Sequence, residues 1–287
     1  MALDAIGGAH LNVERAGTGP EVVAIHGFTG STSTWSAFAE AARGGYTVIS
    51  VDVLGHGSSA SPTNPDMYSM ERTVRALAEL LDKLGVARAR WLGYSMGGRI
   101  VLSVAIALPH RTAGLVVESG SPGLATAEER AARVRSDEAL ARRIEDEGIE
   151  AFVRHWESLP LWASQARLPE AVRESLRAQR LKNSEAGLAN SLRGIGTGAQ
   201  PPLHHRLAAL QAPTLFIAGA EDAKFAAIAQ EMHGAVPNSR LQIVPNAGHA
   251  VHLEAPGAFN RAVLDFLKTA AASENVPTTK TRSLSSP

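Results

Sequence analysis

The sequence contains no cysteine among its 287 residues. This absence excludes disulfide bonds, zinc sites with thiolate ligands and a cysteine nucleophile. The H-E-x-x-H pattern and comparable spacings of metal ligands are absent as well, so we predict no metal site. Chemistry based on thiols or on a bound metal is therefore not expected.

Long apolar segments and a secretory leader are also lacking. No apolar run approaches the roughly 18 residues that a membrane-spanning helix needs. The opening segment MALDAIGGAHLNVERAG has neither the basic start nor the apolar core of a signal peptide. We therefore predict a soluble, cytoplasmic protein that does not bind a membrane.

An excess of charge of either sign is absent, because 28 Lys and Arg balance 28 Asp and Glu. A chain without net charge has no electrostatic footprint for nucleic acid, so no nucleic-acid partner is predicted. Lysine is scarce, with 5 Lys against 23 Arg. Arginine offers planar forks that suit carboxylates, although the base composition of a genome produces the same bias.

Six short apolar runs end in glycine-rich turns. Because they are nearly continuous rather than alternating, they are typical of strands buried on both faces of a parallel sheet. Helical stretches lie between most of them, which predicts an α/β fold with right-handed crossovers. The predicted strands and their turns occupy 21–30, 46–57, 89–95, 113–120, 213–222 and 240–249. The predicted helices occupy 34–43, 69–85, 96–108, 224–235 and 256–271.

The alternation stops between about 121 and 204, where the pattern predicts helices only. TAEE (126–129) has the pattern of a capping box at a helix start. An amphipathic helical stripe follows, formed by Ile149, Phe152, Val153 and Trp156. We predict an α/β core of residues 1–120 and 205–272, with 121–204 inserted as a helical lid over the strand ends. Residues 273–287 have little to bury and are predicted to be a disordered tail.

The segment GYSMG (93–97) fits G-x-S-x-G between a predicted strand and a predicted helix, where the sharp turn exposes a serine hydroxyl. Serine is inert without a base. Asp222 and His249 follow two later strands, and the order Ser95, Asp222, His249 is typical of the α/β-hydrolase fold. We predict that His249 exchanges protons with Ser95 and that Asp222 orients the imidazole.

Three other acidic residues also end strands. Neighbouring side chains at a strand end point in different directions, so only one of Glu221 and Asp222 can face the histidine, and Asp222 is favoured. Glu118 remains a minor alternative as the acid. Asp52 is expected to brace the loop GHG that follows it, and His252 is expected to be structural at the start of the last helix.

The segment HGFTGS (26–31) follows an early strand. In this fold the backbone N–H groups of Phe28 and Met96 would form an oxyanion hole, although a simple tight turn remains an alternative. Arg99 lies one helical turn after Ser95, on the same helix face. It forms either a structural salt bridge or a binding site for an anionic substrate, because an unpaired buried charge is costly.

Several segments together closely resemble the 2-succinyl-6-hydroxy-2,4-cyclohexadiene-1-carboxylate synthase family of menaquinone biosynthesis. They are HGFTGS, VDVLGHGSS, GYSMGGR, GLATAEERAARVRSDE, FVRHWESLPLW, GLANSLRGIGTGAQP, EDAKF and GHAVHLE. The similarity extends over about residues 20 to 270 and includes the predicted lid, where α/β-hydrolases diverge most. The resemblance implies an elimination, in which the triad takes a ring proton and pyruvate leaves through a conjugated enolate.

The resemblance also implies how the substrate is held. Tyr94 lies beside the nucleophile, and Arg99, Arg133 and Arg180 match basic residues that bind the carboxylates of a small polycarboxylate substrate. Arg177 is a rival for the last of these. Trp156 matches a lid aromatic that lines the pocket, while its place on the amphipathic stripe also fits a core residue. No cofactor is implied, and a monomer or a small homo-oligomer is expected.

Two other functions remain open at this point. A serine hydrolase, either a carboxylesterase or an enzyme that cleaves carbon–carbon bonds of acidic substrates, would use the same triad and Arg99. A non-catalytic protein that binds a small ligand is the other alternative, against which a complete triad argues. Pyruvate release separates the elimination from both.

Overall fold

The computed structural model describes residues 2–274, and the side chains of residues 6–270. Within that range eight strands form one sheet in the spatial order β1-β2-β4-β3-β5-β6-β7-β8. The first two pairings, β1 with β2 and β2 with β4, are antiparallel, and the others are parallel. The strands are β1 (Ala2–Ile6), β2 (Ala9–Gly17), β3 (Glu21–Ile25), β4 (Thr47–Val51), β5 (Ala89–Tyr94), β6 (Thr112–Glu118), β7 (Thr214–Gly219) and β8 (Ser239–Val244).

The mostly parallel α/β sheet predicted from the six apolar runs is confirmed, since each run overlaps one of β3 to β8. The hairpin β1–β2 was not predicted from the sequence. Much of β2 is half-buried or exposed, so it lacks the continuous apolar run that marked the other strands. Its polar residues suit the antiparallel part of the sheet next to the edge strand β1, where one face of a strand can be solvated.

Helices cover both faces of the sheet. One face carries α2, α3 and α7 over an apolar layer that includes Val23, Trp91 and Ile100. The other face carries α1 and α9, with Trp35 and Phe259 in its core. These helices are α1 (Ser36–Ala42), α2 (Met70–Lys83), α3 (Met96–Ala107), α7 (Ala223–Ala235) and α9 (Pro256–Glu274), and a short helix, α8 (Val251–Glu254), precedes the last.

Between β6 and β7 the chain is helical, with α4 (Ala127–Glu157), a 3-10 segment (Pro160–Arg167), α5 (Glu170–Leu181) and α6 (Glu185–Ile195). The Thr126 hydroxyl accepts from the Glu129 N–H and the Glu129 carboxylate accepts from the Thr126 N–H, so the capping box is present. Gly148 interrupts α4 with a φ of +80°, which a side chain would disfavour. We call residues 121–204 the helical segment.

Phe152 and Val153 of the amphipathic stripe are fully buried and pack with Leu188 and Ala189 of α6. The last helix runs to Glu274, so the prediction of a disordered tail from residue 273 is wrong for Ser273 and Glu274. Residues 275–287 of the predicted tail lie outside the described residues. None of the helices in the described part of the chain is both long and apolar enough to cross a membrane.

The register of the sheet gathers the functional segments at one edge. Gly93 of β5 lies opposite Ile25 of β3, and Tyr94 lies opposite Glu118 of β6. Gly219 of β7 likewise lies opposite Val244 of β8. Because the carboxyl ends of these parallel strands are level, the loops that follow them meet above the same edge.

Candidate active site

Ser95 occupies a strained turn between β5 and α3. Its φ of +52° and ψ of −107° lie outside the regions that ordinary residues favour. Its N–H donates to the carbonyl of Glu118 at 2.8 Å, which fixes the turn to the neighbouring strand. A Cβ on Gly97 would collide with the carbonyl of Ile25, and one on Gly93 would collide with the carbonyl of Gly97. The glycines of GYSMG are therefore required by packing.

The structure brings Ser95, His249 and Asp222 together. His249 Nε2 lies 2.9 Å from Ser95 Oγ, and its Nδ1 lies 2.6 Å from Asp222 Oδ2. Since a carboxylate only accepts, Nδ1 carries the proton and Nε2 is left to accept from the serine hydroxyl. The other carboxylate oxygen of Asp222 accepts from the Phe225 N–H at 3.2 Å, at the start of α7. The Asp222 carboxylate is thus held by the start of α7 through one oxygen and contacts the imidazole through the other.

The other strand-end acids have different partners. Glu118 is fully buried and accepts from the backbone N–H of His252 at 2.9 Å, with the His252 Nδ1 also 2.9 Å away. Glu221 forms an exposed ion pair with Arg167 at 2.7 Å. Neither acid is bonded to His249. Asp52 accepts from Thr32, Ser58 and Asn12, so it braces loops as expected.

The loop after β3 is held by a neutral histidine. The N–H of Val53 donates to His26 Nε2 at 3.0 Å, and the other ring nitrogen donates to the carbonyl of Gly27 at 2.7 Å. Burial lowers the pKa of His26, against the opposing effect of the Asp52 charge. The backbone N–H groups of Phe28 and Met96, which the sequence predicts as an oxyanion hole, donate to no group within residues 2–274. Met96 is the first residue of α3, where amide groups have no partner in the helix.

A cavity of about 270 Å³ opens beside Ser95 and His249. We call it the Ser95 cavity. Three cationic side chains line it, those of Arg99, Arg133 and Lys224, and no aspartate or glutamate is among its described lining residues. Its other walls are largely apolar and aromatic, and include Phe28, Tyr94, Leu140, Trp156, Trp162 and Phe225. This lining suits an organic anion with a substantial carbon skeleton.

Arg99 is buried but has no ion-pair partner among residues 2–274. Its Nη1 donates to the carbonyl of Ile195 and to Gln200 Oε1, both at 2.8 Å. Burial lowers the pKa of Arg99 to about 10, with the nearby charge of Arg133 acting in the same direction. The guanidinium is still protonated at neutral pH. The two hydrogen-bond acceptors of Arg99 are thus neutral. The structural salt bridge that was the alternative for this residue is not found among the described residues.

Arg133 and Arg180 lie in different surroundings. Arg133 lines the Ser95 cavity and donates through Nε to Asp137 at 2.7 Å. Arg180 does not line that cavity, because it lies behind Trp162, with its guanidinium carbon 5.7 Å from the ring centroid, and it is paired with Glu157 at 3.0 Å. Its rival Arg177 pairs with the same glutamate and is half-exposed.

The aromatic walls include residues that the sequence did not single out. Trp156 contacts Phe28 and Trp162, with ring centroids 5.4 and 5.6 Å apart. Trp162 and Phe225 both lie edge-on to His249, with centroids at 5.5 and 4.6 Å. Trp162 and Lys224 lie in the segments FVRHWESLPLW and EDAKF, but nothing in their local pattern assigns them to the site.

Tyr94 lies beside Ser95 and is largely buried. Burial, together with the charge of Glu118, raises the pKa of its hydroxyl well above the usual value, so the phenol is neutral. Its ring packs against His252 and His249, with centroids 4.6 and 5.5 Å apart.

No group of three or more His, Asp or Glu side chains within residues 2–274 could hold a metal ion.

Comparison with known proteins places this geometry in a family. The sequence profile of the alpha/beta hydrolase fold matches residues 20–256. A Bacillus subtilis (strain 168) protein, provisionally assigned as 2-succinyl-6-hydroxy-2,4-cyclohexadiene-1-carboxylate synthase, is 47% identical over 246 residues, which cover 86% of this chain and 89% of the relative. The synthase of that name from Escherichia coli O1:K1 / APEC is 32% identical over 249 residues, which cover 87% and 94%.

A solved structure agrees with the sequence relatives. MenH from S. aureus superposes with a TM-score of 0.87 at 35% identity, over 91% of this chain and 98% of the other. The match extends through the helical segment as well as the sheet, since it leaves less than a tenth of this chain uncovered. The chain therefore belongs to the α/β-hydrolase family and, within it, to the 2-succinyl-6-hydroxy-2,4-cyclohexadiene-1-carboxylate synthases.

Proposed function

We propose that this protein eliminates pyruvate from 2-succinyl-5-enolpyruvyl-6-hydroxy-3-cyclohexene-1-carboxylate in menaquinone biosynthesis, as a carbon–oxygen lyase. The observation that carries the proposal is the lining of the Ser95 cavity, where a serine–histidine–aspartate arrangement opens onto three cations and no carboxylate. The substrate carries carboxylates on its ring, its succinyl chain and its enolpyruvyl group. Such a molecule matches both the charge and the apolar walls of this cavity.

The bonds that form and break follow from the chemical structures of the substrate and of the product, 2-succinyl-6-hydroxy-2,4-cyclohexadiene-1-carboxylate. The substrate has its ring double bond between C3 and C4, and the product has double bonds at C2 and C4. The C2 hydrogen is acidic because it is next to the succinyl carbonyl and to the double bond. Its removal gives a conjugated enolate, and the return of that electron pair breaks the bond between C5 and the enolpyruvyl oxygen. The departing enolate takes up a proton on carbon and becomes pyruvate.

Ser95 and His249 supply the base for the first step. Proton transfer to a positioned base accelerates such reactions by roughly 10²- to 10⁴-fold. His249 Nε2 lies 2.9 Å from Ser95 Oγ, so a proton that the serine oxygen takes from the substrate can pass directly to the imidazole. Asp222 then stabilises the resulting imidazolium through Nδ1, at 2.6 Å. No bond between Ser95 and the substrate is required.

The amides of Phe28 and Met96 serve as the oxyanion hole in this proposal. The enolate oxygen carries the developing negative charge, as a tetrahedral oxyanion does in ester hydrolysis. Donors that are already in place contribute about 3 kcal/mol each in such sites, because they need no reorganisation during the reaction. The two N–H groups have no other acceptor in the described structure, which leaves them available for this purpose.

Arg99, Arg133 and Lys224 bind carboxylates and orient the ring in the cavity. Arg180 lies behind Trp162 and reaches the substrate only if that tryptophan shifts, so its contribution is smaller. Trp156 and Tyr94 pack against the carbon skeleton. The helical segment acts as a lid in this arrangement, since α4 and α6 supply Arg133, Trp156 and Leu192 to the cavity. No cofactor is needed for this reaction.

The test is to supply this substrate and follow pyruvate by coupling its reduction to NADH consumption. We expect release of pyruvate in equimolar amounts with the cyclohexadiene product. Hydrolysis of p-nitrophenyl esters with no pyruvate release would instead identify a serine hydrolase. Binding of the substrate without turnover would identify a ligand-binding protein.

A further inference from the structure

The guanidinium of Arg99 is held on one side by two neutral acceptors. Its Nη1 donates both protons, one to the carbonyl of Ile195 and one to Gln200 Oε1, each at 2.8 Å. Its Nε and Nη2 donate to no residue within 2–274. Because Arg99 lines the Ser95 cavity, the Nε–Nη2 edge is the part of the fork that remains for a ligand. That edge binds a carboxylate through two parallel hydrogen bonds.

The two groups that accept from Arg99 lie at the end of α6 and in the turn that follows it. Ile195 is the last residue of that helix, so its carbonyl has no partner within the helix and lies at the negative end of the helix dipole. A tight turn follows, in which the N–H groups of Ala199 and Gln200 donate to the carbonyl of Gly196 at 3.0 and 3.1 Å. This turn brings the Gln200 side chain back to the guanidinium.

Gln200 lies behind the cavity wall, and its hydrogen bond to the site is the one that it accepts from Arg99. It is 1% exposed and does not line the Ser95 cavity. Its Nε2 is buried, has no hydrogen-bond partner in the described structure, and lies next to Gly123, a residue of the cavity wall. Burying an amide nitrogen without a hydrogen-bond partner costs free energy of folding. The hydrogen bond that the Gln200 oxygen accepts from Arg99 offsets part of this cost.

The charge of the acceptor matters as much as its position. A buried arginine is ordinarily paired with a carboxylate, since an isolated charge is expensive to bury. Here Asp137, whose charge acts on Arg99, already accepts from Arg133 at 2.7 Å. A glutamate in place of Gln200 would have nearly the same shape but would neutralise the guanidinium. The amide orients the same fork and leaves its charge to be neutralised by a ligand.

We propose that Gln200 is a positioning residue that sets the specificity of the site for a carboxylate, by fixing Arg99 through a neutral acceptor and leaving its Nε–Nη2 edge open. The inference rests on the proposed function for the identity of the substrate. It adds that selectivity for the anion depends on a residue outside the cavity. The substrate carboxylate, rather than a carboxylate of the protein, completes the ion pair.

The decisive variant is Gln200→Glu, which adds one negative charge at an unchanged position. A glutamate beside Arg99 stays ionised because the guanidinium lowers its pKa. We expect KM for the substrate to rise at least tenfold while kcat changes less than threefold. Gln200→Met removes the hydrogen bond without adding charge, and should raise KM only about threefold. Equal increases of KM in the two variants would contradict the inference that the absence of charge on Gln200 matters.

A binding measurement separates this inference from the proposed function. The dissociation constant of 2-succinylbenzoate, an aromatic dicarboxylate that resembles the product, is measured by calorimetry and needs no turnover. We expect Gln200→Glu to weaken it at least tenfold even if the wild type releases no pyruvate, in which case only the proposed function fails. An unchanged dissociation constant would overturn the inference.

Two controls test whether the effect passes through Arg99. Gln179→Glu adds the same charge to the helical segment at a residue bonded to Ser33, and should change the dissociation constant less than twofold. In an Arg99→Met background, Gln200→Glu should have no further effect. A tenfold loss in that background would show that Gln200 acts by another route and would overturn the inference.

Discussion

Arg99 lies one helical turn after Ser95, and its N–H donates to the Ser95 carbonyl at 3.1 Å. This relationship places a hydroxyl and a guanidinium on the same face of α3, where both line one cavity. The strand-end turn exposes the serine, and the first turn of the helix carries the cation.

Ser95→Ala removes the hydroxyl that lies 2.9 Å from His249 Nε2 and that the proposed mechanism places between the base and the substrate. We expect pyruvate release to fall on the order of 10³-fold, since general-base catalysis contributes roughly 10²- to 10⁴-fold. Single-turnover measurement of pyruvate checks the chemical step directly. Turnover near that of the wild type would remove the triad from the mechanism.

Asp222→Asn reverses the hydrogen bond to the imidazole. The amide donates to Nδ1, so the proton moves to Nε2, which can no longer accept from Ser95. We expect kcat to fall by about 10²-fold or more, measured as steady-state pyruvate release. Glu221→Gln is the matched control, because Glu221 is paired with Arg167 at the surface, and it should leave kcat within twofold. A larger loss in Glu221→Gln than in Asp222→Asn would reassign the acid.

Arg99→Met keeps the length of the side chain and removes its charge. We expect kcat/KM for the substrate to fall at least roughly tenfold, or about 1.4 kcal/mol of transition-state stabilisation. Arg180→Met should cost less, because Glu157 already pairs with that arginine outside the Ser95 cavity. Comparison with a neutral p-nitrophenyl ester checks the charge dependence. Equal losses on both substrates would mean that Arg99 is structural.

Gly97→Ala tests the close approach of α3 to β3. A Cβ at this position would overlap the carbonyl of Ile25, so we expect a loss of several kcal/mol of unfolding free energy or failure to fold. Gly234→Ala is the control, because a Cβ there meets nothing within 4 Å in the helix α7. That variant should be neutral or up to about 1 kcal/mol more stable. Chemical denaturation of both variants measures the difference, and a Gly97→Ala protein of wild-type stability would contradict the packing.

Stability should fall in mild acid because of buried neutral histidines. Burial lowers the pKa of His56 to about 3, with the neighbouring His26 acting in the same direction. The unfolded chain binds this proton near pH 6.5, whereas the folded chain does not, so stability is complete above pH 6.5 and is lost as pH falls towards 3. At pH 5 the loss from His56 is about 2 kcal/mol, from 1.5 pH units at about 1.4 kcal/mol each.

Urea denaturation at pH 7.5 and pH 5 measures this loss. In His56→Asn the free energy of unfolding should differ between pH 7.5 and pH 5 by about 2 kcal/mol less than it does in the wild type, since the titrating group is gone. An unchanged difference would show that His56 is protonated in the folded protein. His26 acts in the same direction and accounts for part of the remaining decline.

Much of the site was predictable because it depends on local patterns at strand ends. GYSMG, the acid after β7 and the histidine after β8 are each short motifs, and parallel strands bring their carboxyl ends to one edge. The local sequence did not indicate that Arg180 would lie behind Trp162. That placement depends on Glu157 and Gln165, which belong to two other parts of the helical segment.

The sequence by itself determined the α/β core, the order Ser95, Asp222, His249 and the family resemblance, because these follow from periodicity and motifs within short windows. Only the tertiary structure decided which charges share the Ser95 cavity and which are neutralised elsewhere. Arg99 and Gln200 are separated by 101 positions, yet their hydrogen bond is 2.8 Å long. Whether a buried arginine is available to a substrate depends on the acceptors that packing brings to it, and no local pattern encodes those acceptors.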